Sequence, residues 1–156
     1  MSRDPSPPRL VPAFRASVAV APPRSLGRTF GGERRIVDIV GGEVSGARLS
    51  GRVLPGGADW QIVRDDGVAV LEARYTIEAD DGALIYVQNF GYRHGPAEVL
   101  ARVARGEAVD PASYYFRAAP RFETSAAAHD WLNRTIVLCS ALRTPDRVLL
   151  DFYSVE

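Results

Sequence analysis

The sequence predicts an all-β domain with minor helix: a closed antiparallel β-barrel of about eight or more strands with one or two short helices. Short strand-like runs recur along the chain, and glycine-centred turn signals separate them. Only one segment shows clear helical spacing. Closure follows from the number of strands. Many hairpin-linked strands in one open sheet would leave two long unpaired edges, and a barrel removes both. A two-sheet sandwich is the alternative.

Residues 1–9 carry three prolines and no hydrophobic pattern, so they are expected to form a disordered tail before one barrel domain over residues 10–156. Turn signals then fall at Pro22-Pro23, Gly31, Gly41, Ser50-Gly51, Pro55-Gly56-Gly57 and two Asp-Asp-Gly triplets ending at Gly67 and Gly82. The clearest strand covers 68–79. Ala69, Leu71, Ala73, Tyr75, Ile77 and Ala79 share one parity, while Glu72, Arg74, Thr76 and Glu78 share the other, which places Tyr75 inward.

The turn at Asp80-Asp81-Gly82 reverses this strand into a second over 83–93, because Asp-Gly between alternating runs is a strong hairpin signal. Both of its faces are rather apolar. Ala83, Ile85, Val87, Asn89, Gly91 and Arg93 form one, and Leu84, Tyr86, Gln88, Phe90 and Tyr92 the other. A strand of this kind is expected to be covered outside by a helix or by another subunit, hence a homo-oligomer. Residues 96–105 supply a helix, with Pro96 in its first turn and Val99, Leu100 and Val103 at helical spacing. Strands are expected over 113–118, 134–143 and 147–155, with a helical turn in 125–133 capped by Thr124 or Ser125.

Composition narrows the function. The 156 residues, 46% hydrophobic and 24% charged, fit one globular core. No apolar run approaches the ~20 residues of a membrane helix, and the polar N-terminus lacks the apolar core of a secretory signal. A soluble, cytoplasmic protein is expected. The 19 basic residues are all arginine, which excludes Schiff-base chemistry through a lysine amine. They form no basic stripe, so no nucleic-acid partner is expected. Two histidines, His94 and His129, without clustered acids predict neither a metal site nor a cofactor, and both fit ordinary surface groups. Cys139, inside an apolar run, fits a buried, inert thiol.

Weak signals mark the candidate site. After Gly56-Gly57 an acid and an indole enter a strand as Asp59 and Trp60. Facing an apolar lumen, Asp59 would hold its proton more tightly and serve as general acid or base. Alternatively it caps the glycine turn. Tyr115 and Arg117 lie on one strand face, a pattern that suits a clamp on an oxyanion or carboxylate, or a structural network. Trp60, Tyr75 and Trp131 are candidate cavity walls, and the amides of Asn89 and Asn133 would orient a ligand. A buried amide such as Asn89 must find backbone, water or ligand.

These motifs together resemble the domain-of-unknown-function 3237 family, also called uncharacterised protein family 0311. The matching stretches are Gly56 to Trp60, Ala73-Arg74-Tyr75, Asp81-Gly82-Ala83 with Asn89 and Gly91, Tyr115-Phe116-Arg117, Phe122-Glu123-Thr124 and Trp131-Leu132-Asn133. The resemblance implies a small barrel similar to allene oxide cyclase, with oligomeric assembly common. Related barrels cyclise or isomerise flexible substrates without cofactors. The expectation is therefore a cofactor-independent isomerase, cyclase or lyase acting on a small, carbonyl-bearing, partly apolar molecule, with Asp59, Tyr115 and Arg117 catalytic. A non-catalytic carrier or sensor of a small hydrophobic ligand is the alternative, and a lactone or ester hydrolase a further one.

Overall fold

The computed structural model describes residues 3–156, so the first two positions of the expected tail lie outside the described residues. Its strands are β1 (Leu10–Val20), β2 (Arg24–Thr29), β3 (Gly32–Ser45), β4 (Gly51–Val53), β5 (Gly57–Val63), β6 (Ala69–Ala79), β7 (Leu84–His94), β8 (Tyr115–Glu123), β9 (Val137–Arg143) and β10 (Arg147–Val155). Every pairing among the described residues is antiparallel. Eight strands close the barrel in the order β1-β10-β9-β8-β7-β6-β5-β3, with β3 returning to β1. β2 extends β3 as a hairpin, and β4 bridges β3 and β6.

The β6–β7 hairpin sets the register of the lumen. Gly82 takes a left-handed φ of 86°, and Asp81 Oδ1 accepts the Ala83 N–H at 3.0 Å. From that turn the ladder runs unbroken to Ala69 opposite Arg93. Period-2 alternation then turns Leu71, Ala73 and Tyr75 inward beside Val87, Asn89 and Arg93.

The remaining elements sharpen the expected boundaries. β8 continues past Ala118 to Glu123, because Pro120 and Phe122 keep the buried parity that Phe116 begins. The stretch expected to hold a helical turn is a 3₁₀ segment, Ala127–Asn133, whose N-cap Ala126 has no side-chain cap. Thr124 still acts there, since its Oγ1 accepts the Ala126 N–H at 3.2 Å. Helix α1 (Ala97–Ala104) starts after Pro96, which occupies the N-cap. It buries Val103 and lays Val99 and Leu100 on the core, leaving Leu84, Phe90 and Tyr92 on the outer face of β7 exposed. No helix is long and apolar enough to cross a membrane among the described residues.

Packing divides the barrel into two ends. Phe14 stacks on Phe152 at 4.5 Å, and Phe122 meets both edge-on at 6.0 and 6.2 Å. Trp131 adds a further edge contact to Phe14 at 6.5 Å. Each such pair stabilises by about 0.5–1.5 kcal/mol beyond the area it buries. Ile77, Ile85 and Val87 are fully buried and complete this plug. Toward the opposite end the inward residues shrink to Val18, Val20, Val37, Ala73 and Ala118, and space opens between them.

Candidate functional site

The opening is a lumenal cavity of about 60 Å³ lined mainly by aliphatic side chains, with polar groups at Asp59, Gln61, Tyr75, Asn89, Arg93 and Arg143. Three strands set its acid beside an amide. Asp59 on β5 sits opposite Ala73 on β6, and Ala73 sits opposite Asn89 on β7. The intervening alanine leaves room between the carboxyl and the amide. Gly57 makes this placement possible, because a Cβ there would come within 2.5 Å of the Arg74 carbonyl oxygen and push β5 away from β6.

Asp59 is anchored on both oxygens. Oδ1 accepts the backbone N–H of Glu72 at 2.8 Å, and Oδ2 accepts from Gln61 Nε2 at 2.9 Å. The N–H that it accepts therefore belongs to the neighbouring strand and not to the glycine turn. Burial pushes the carboxyl above the usual carboxylate range, opposed by these two bonds and by the charges of Arg93 and Arg143. A carboxyl held this way exchanges its proton nearer to neutral pH than an exposed one.

Arg93 and Arg143 enter the same cavity from β7 and β9. Register fixes their level, since Arg93 faces Phe116 and Arg143 faces Val148. The Arg93 guanidinium also lies 5.3 Å from the centre of the Phe116 ring. Burial and then the neighbouring Arg143 lower its hold on its proton, while Asp59 raises it. Burial acts on Arg143 in the same direction, again opposed by Asp59. Both remain cationic at any physiological pH. Deeper in the lumen, the Tyr75 hydroxyl and Asn89 Oδ1 are buried without a hydrogen-bond partner among the described residues. Asn89 Nδ2 makes a long contact, 3.8 Å, to Cys139 Sγ. Burial pushes that thiol up to about 12 and keeps the Tyr75 phenol protonated.

The residues expected from sequence divide sharply. Asp59, Tyr75 and Asn89 share the cavity; Trp60, Tyr115, Arg117, Trp131 and Asn133 do not. Trp60 follows Asp59 directly, and neighbours on a strand point to opposite faces, so it stands outside the barrel at 39% exposure. Tyr115 and Arg117 stand outside for the same reason. The buried parity of β8 is that of Phe116, so Tyr115 stacks on His94 at 4.7 Å outside, and Arg117 lies 5.8 Å from its ring.

Trp131 lies under the Arg48 guanidinium at 3.6 Å, at the plugged end of the barrel. Asn133 ties the 3₁₀ segment to β8, accepting the Thr124 N–H and donating to the Thr124 carbonyl, each at 2.9 Å. His129 pairs with Asp81 at 2.8 Å, in the β6–β7 turn. Arg93 and Arg143 are functional candidates that the sequence does not single out. Both share strand parity with buried residues, Arg93 with Asn89 and Arg143 with Cys139 and Ala141, and that is the available signal. Among the described residues, no group of three His, Cys, Asp or Glu could hold a metal ion.

A closed antiparallel barrel, plugged by aromatics at one end and hollowed at the other around a desolvated acid and two arginines, defines a small barrel protein with a lumenal cavity. The chain belongs to the family described as protein of unknown function DUF3237, whose model matches residues 8–155. A UPF0311 protein from Rhodopseudomonas palustris is 46% identical over 142 residues, 91% of this chain and 93% of the relative. The crystal structure of a beta-barrel like protein from Acinetobacter baumannii superposes with a TM-score of 0.87 at 46% identity, covering 99% of this chain and all of that one. An enzyme from Penicillium herquei gives a TM-score of 0.73 at 22% identity with both chains fully covered, a likeness that shows the fold alone.

Proposed function

We propose that this chain is a cofactor-independent enzyme that moves a proton on a small, carbonyl-bearing, partly apolar molecule held in the barrel lumen, in an isomerisation, cyclisation or lyase reaction. One observation carries the reading: a desolvated, doubly anchored Asp59 faces the same cavity as the partly buried guanidiniums of Arg93 and Arg143. As a base, Asp59 takes the proton from the carbon beside the carbonyl. The electron pair moves onto the carbonyl oxygen, where Arg93 and Arg143 stabilise the negative charge. Asp59, now protonated, returns the proton at a second position, so the balance closes without any further reactant. Tyr75 and Asn89, deeper in the lumen, orient the rest of the molecule.

The roles proposed from sequence for Tyr115 and Arg117 pass to Arg93 and Arg143. Removal of a positioned general base costs roughly 10²–10⁴-fold in rate. The test is solvent deuterium uptake, followed by NMR, by a panel of enolisable ketones and lactones incubated with the protein in heavy water. Catalysed uptake is expected for at least one compound, with Asp59→Asn slower by at least about 10²-fold. Undiminished uptake by a folded Asp59→Asn protein would sink the assignment. A carrier is the second reading, favoured by the unpartnered Tyr75 hydroxyl and Asn89 Oδ1, which could orient a ligand with no proton transfer. Recovery of one unaltered metabolite with the native protein would support it.

A further inference from the structure

The cavity holds more positive charge than its own residues compensate. Arg93 and Arg143 face it together with a single acid, so even with Asp59 ionised one positive charge is left over, and with Asp59 protonated two are. Asp59 is already committed to Gln61 and to the Glu72 N–H, and its oxygens bond neither arginine. The other charges that reach them are weak substitutes. Arg35 is a further cation, held by Glu33, and Asp146 acts on Arg143 from an exposed loop. Two guanidiniums drawn partly out of water, Arg93 more than Arg143, each a fork of N–H donors with no acid bonded to it among the described residues, gain by the arrival of an anion.

Resting on the proposal that the lumen is the ligand site, we infer that the ligand is a small organic anion. Its carboxylate, or an acidic enol in its ionised form, is seated between Arg93 and Arg143. The level of the groups supports this polarity. Arg93 lies opposite Ala69 near the end of the β6–β7 ladder, whereas Asn89 and Tyr75 lie opposite Ala73 and Val87, further in. At about 3.3 Å per residue the charged head and the deeper polar pair are separated by more than one small functional group. The apolar body between them meets Leu71, Val18 and Leu150. Arginine forks match such a head geometrically as well as in charge. The same guanidiniums would then bind the ground state and not only the charge that develops during reaction.

Isobutyrate and its neutral isostere isobutyramide test this by titration into ¹⁵N-labelled protein, with amide shifts followed at Gln61, Asn89 and Ala118. Isobutyrate is expected to give saturable shifts at these lumenal amides, with isobutyramide weaker by about tenfold or more. Arg143→Gln, at the more open position, is expected to weaken isobutyrate by about tenfold, and Arg93→Gln similarly, with the spectrum itself reporting the fold. Asp59→Asn should bind isobutyrate as tightly as wild type or more tightly, because it removes a competing negative charge. That variant separates the two ideas, since it removes the proposed general base and leaves the anion seat intact. Equal binding of the acid and the amide overturns the inference. So does unchanged isobutyrate binding in folded Arg143→Gln, or the absence of saturable lumenal shifts with isobutyrate.

Discussion

Replacing Asp59 by asparagine should make the protein more stable, and by an amount that depends on pH in a defined direction. In Asp59→Asn the new amide oxygen can still accept the Glu72 N–H, and the Gln61 amide can turn to present its carbonyl to the new NH₂ group. What disappears is the ionisation of a buried carboxyl whose proton is held more tightly in the folded state than in the unfolded chain. The unfolded chain therefore releases that proton first as pH rises, from about pH 3.9, the ordinary aspartate value. Between there and the raised folded value, wild-type stability falls by about 1.4 kcal/mol per pH unit relative to the variant; above it the difference is constant. The stabilising effect of the neutral acid is fully present below the unfolded value and lost as pH rises through the folded one. Urea unfolding of both proteins at intervals from pH 4 to 8 measures the difference directly, and every other titrating group cancels. A difference that is flat across the range, or that favours wild type increasingly at high pH, would refute the burial argument.

Three further outcomes are expected. Phe152→Ala removes the ring stacked on Phe14 at 4.5 Å and should cost about 3–5 kcal/mol in chemical denaturation; a loss under about 1 kcal/mol would mean that the aromatic plug is not what stabilises that end. Tyr75→Phe deletes a buried hydroxyl with no partner among the described residues, so stability should hold or rise by about 1 kcal/mol, whereas a marked fall would reveal a bond that the hydroxyl makes. Arg117→Ala should leave isobutyrate binding at the lumenal amides unchanged, since its guanidinium bonds the Phe116 carbonyl outside the barrel; weakened lumenal binding would return Arg117 to the site.

Strand-level structure was legible because hairpin chemistry and period-2 alternation are local. The β6–β7 hairpin follows from Asp80-Asp81-Gly82 and the flanking parities, and its ladder runs as those parities require. The side of a strand that faces the lumen is a different matter, since it is set by pairing with distant partners. In β8 the short stretch Tyr115-Phe116-Arg117 offers aromatics on both parities, and only the continuation to Phe122 decides for Phe116. Asp59 and Trp60 could not both face inward, and strand period alone was enough to separate them. Arg93 and Arg143 are not singled out by the sequence, because an arginine on a strand reads as solvent-facing. Their roles emerge only when β7 and β9 are closed around one cavity with β5.

Stability and site occupy opposite ends of one lumen, and the division has a physical cause. At the plugged end, Phe14, Phe122 and Phe152 interdigitate, and their rings bring no polar atom that needs a partner. At the open end, alanines and valines replace them, and the space they release admits one acid and two guanidiniums that burial disfavours. Those groups weaken the end they occupy, so local opening should begin there while the aromatic plug holds the closed sheet together. An anion seated between the arginines would reverse that cost and tighten the same strands. Ligand binding and local stability are then one equilibrium, and amide exchange at the open end should slow as the anion binds, while exchange around Phe152 stays the same.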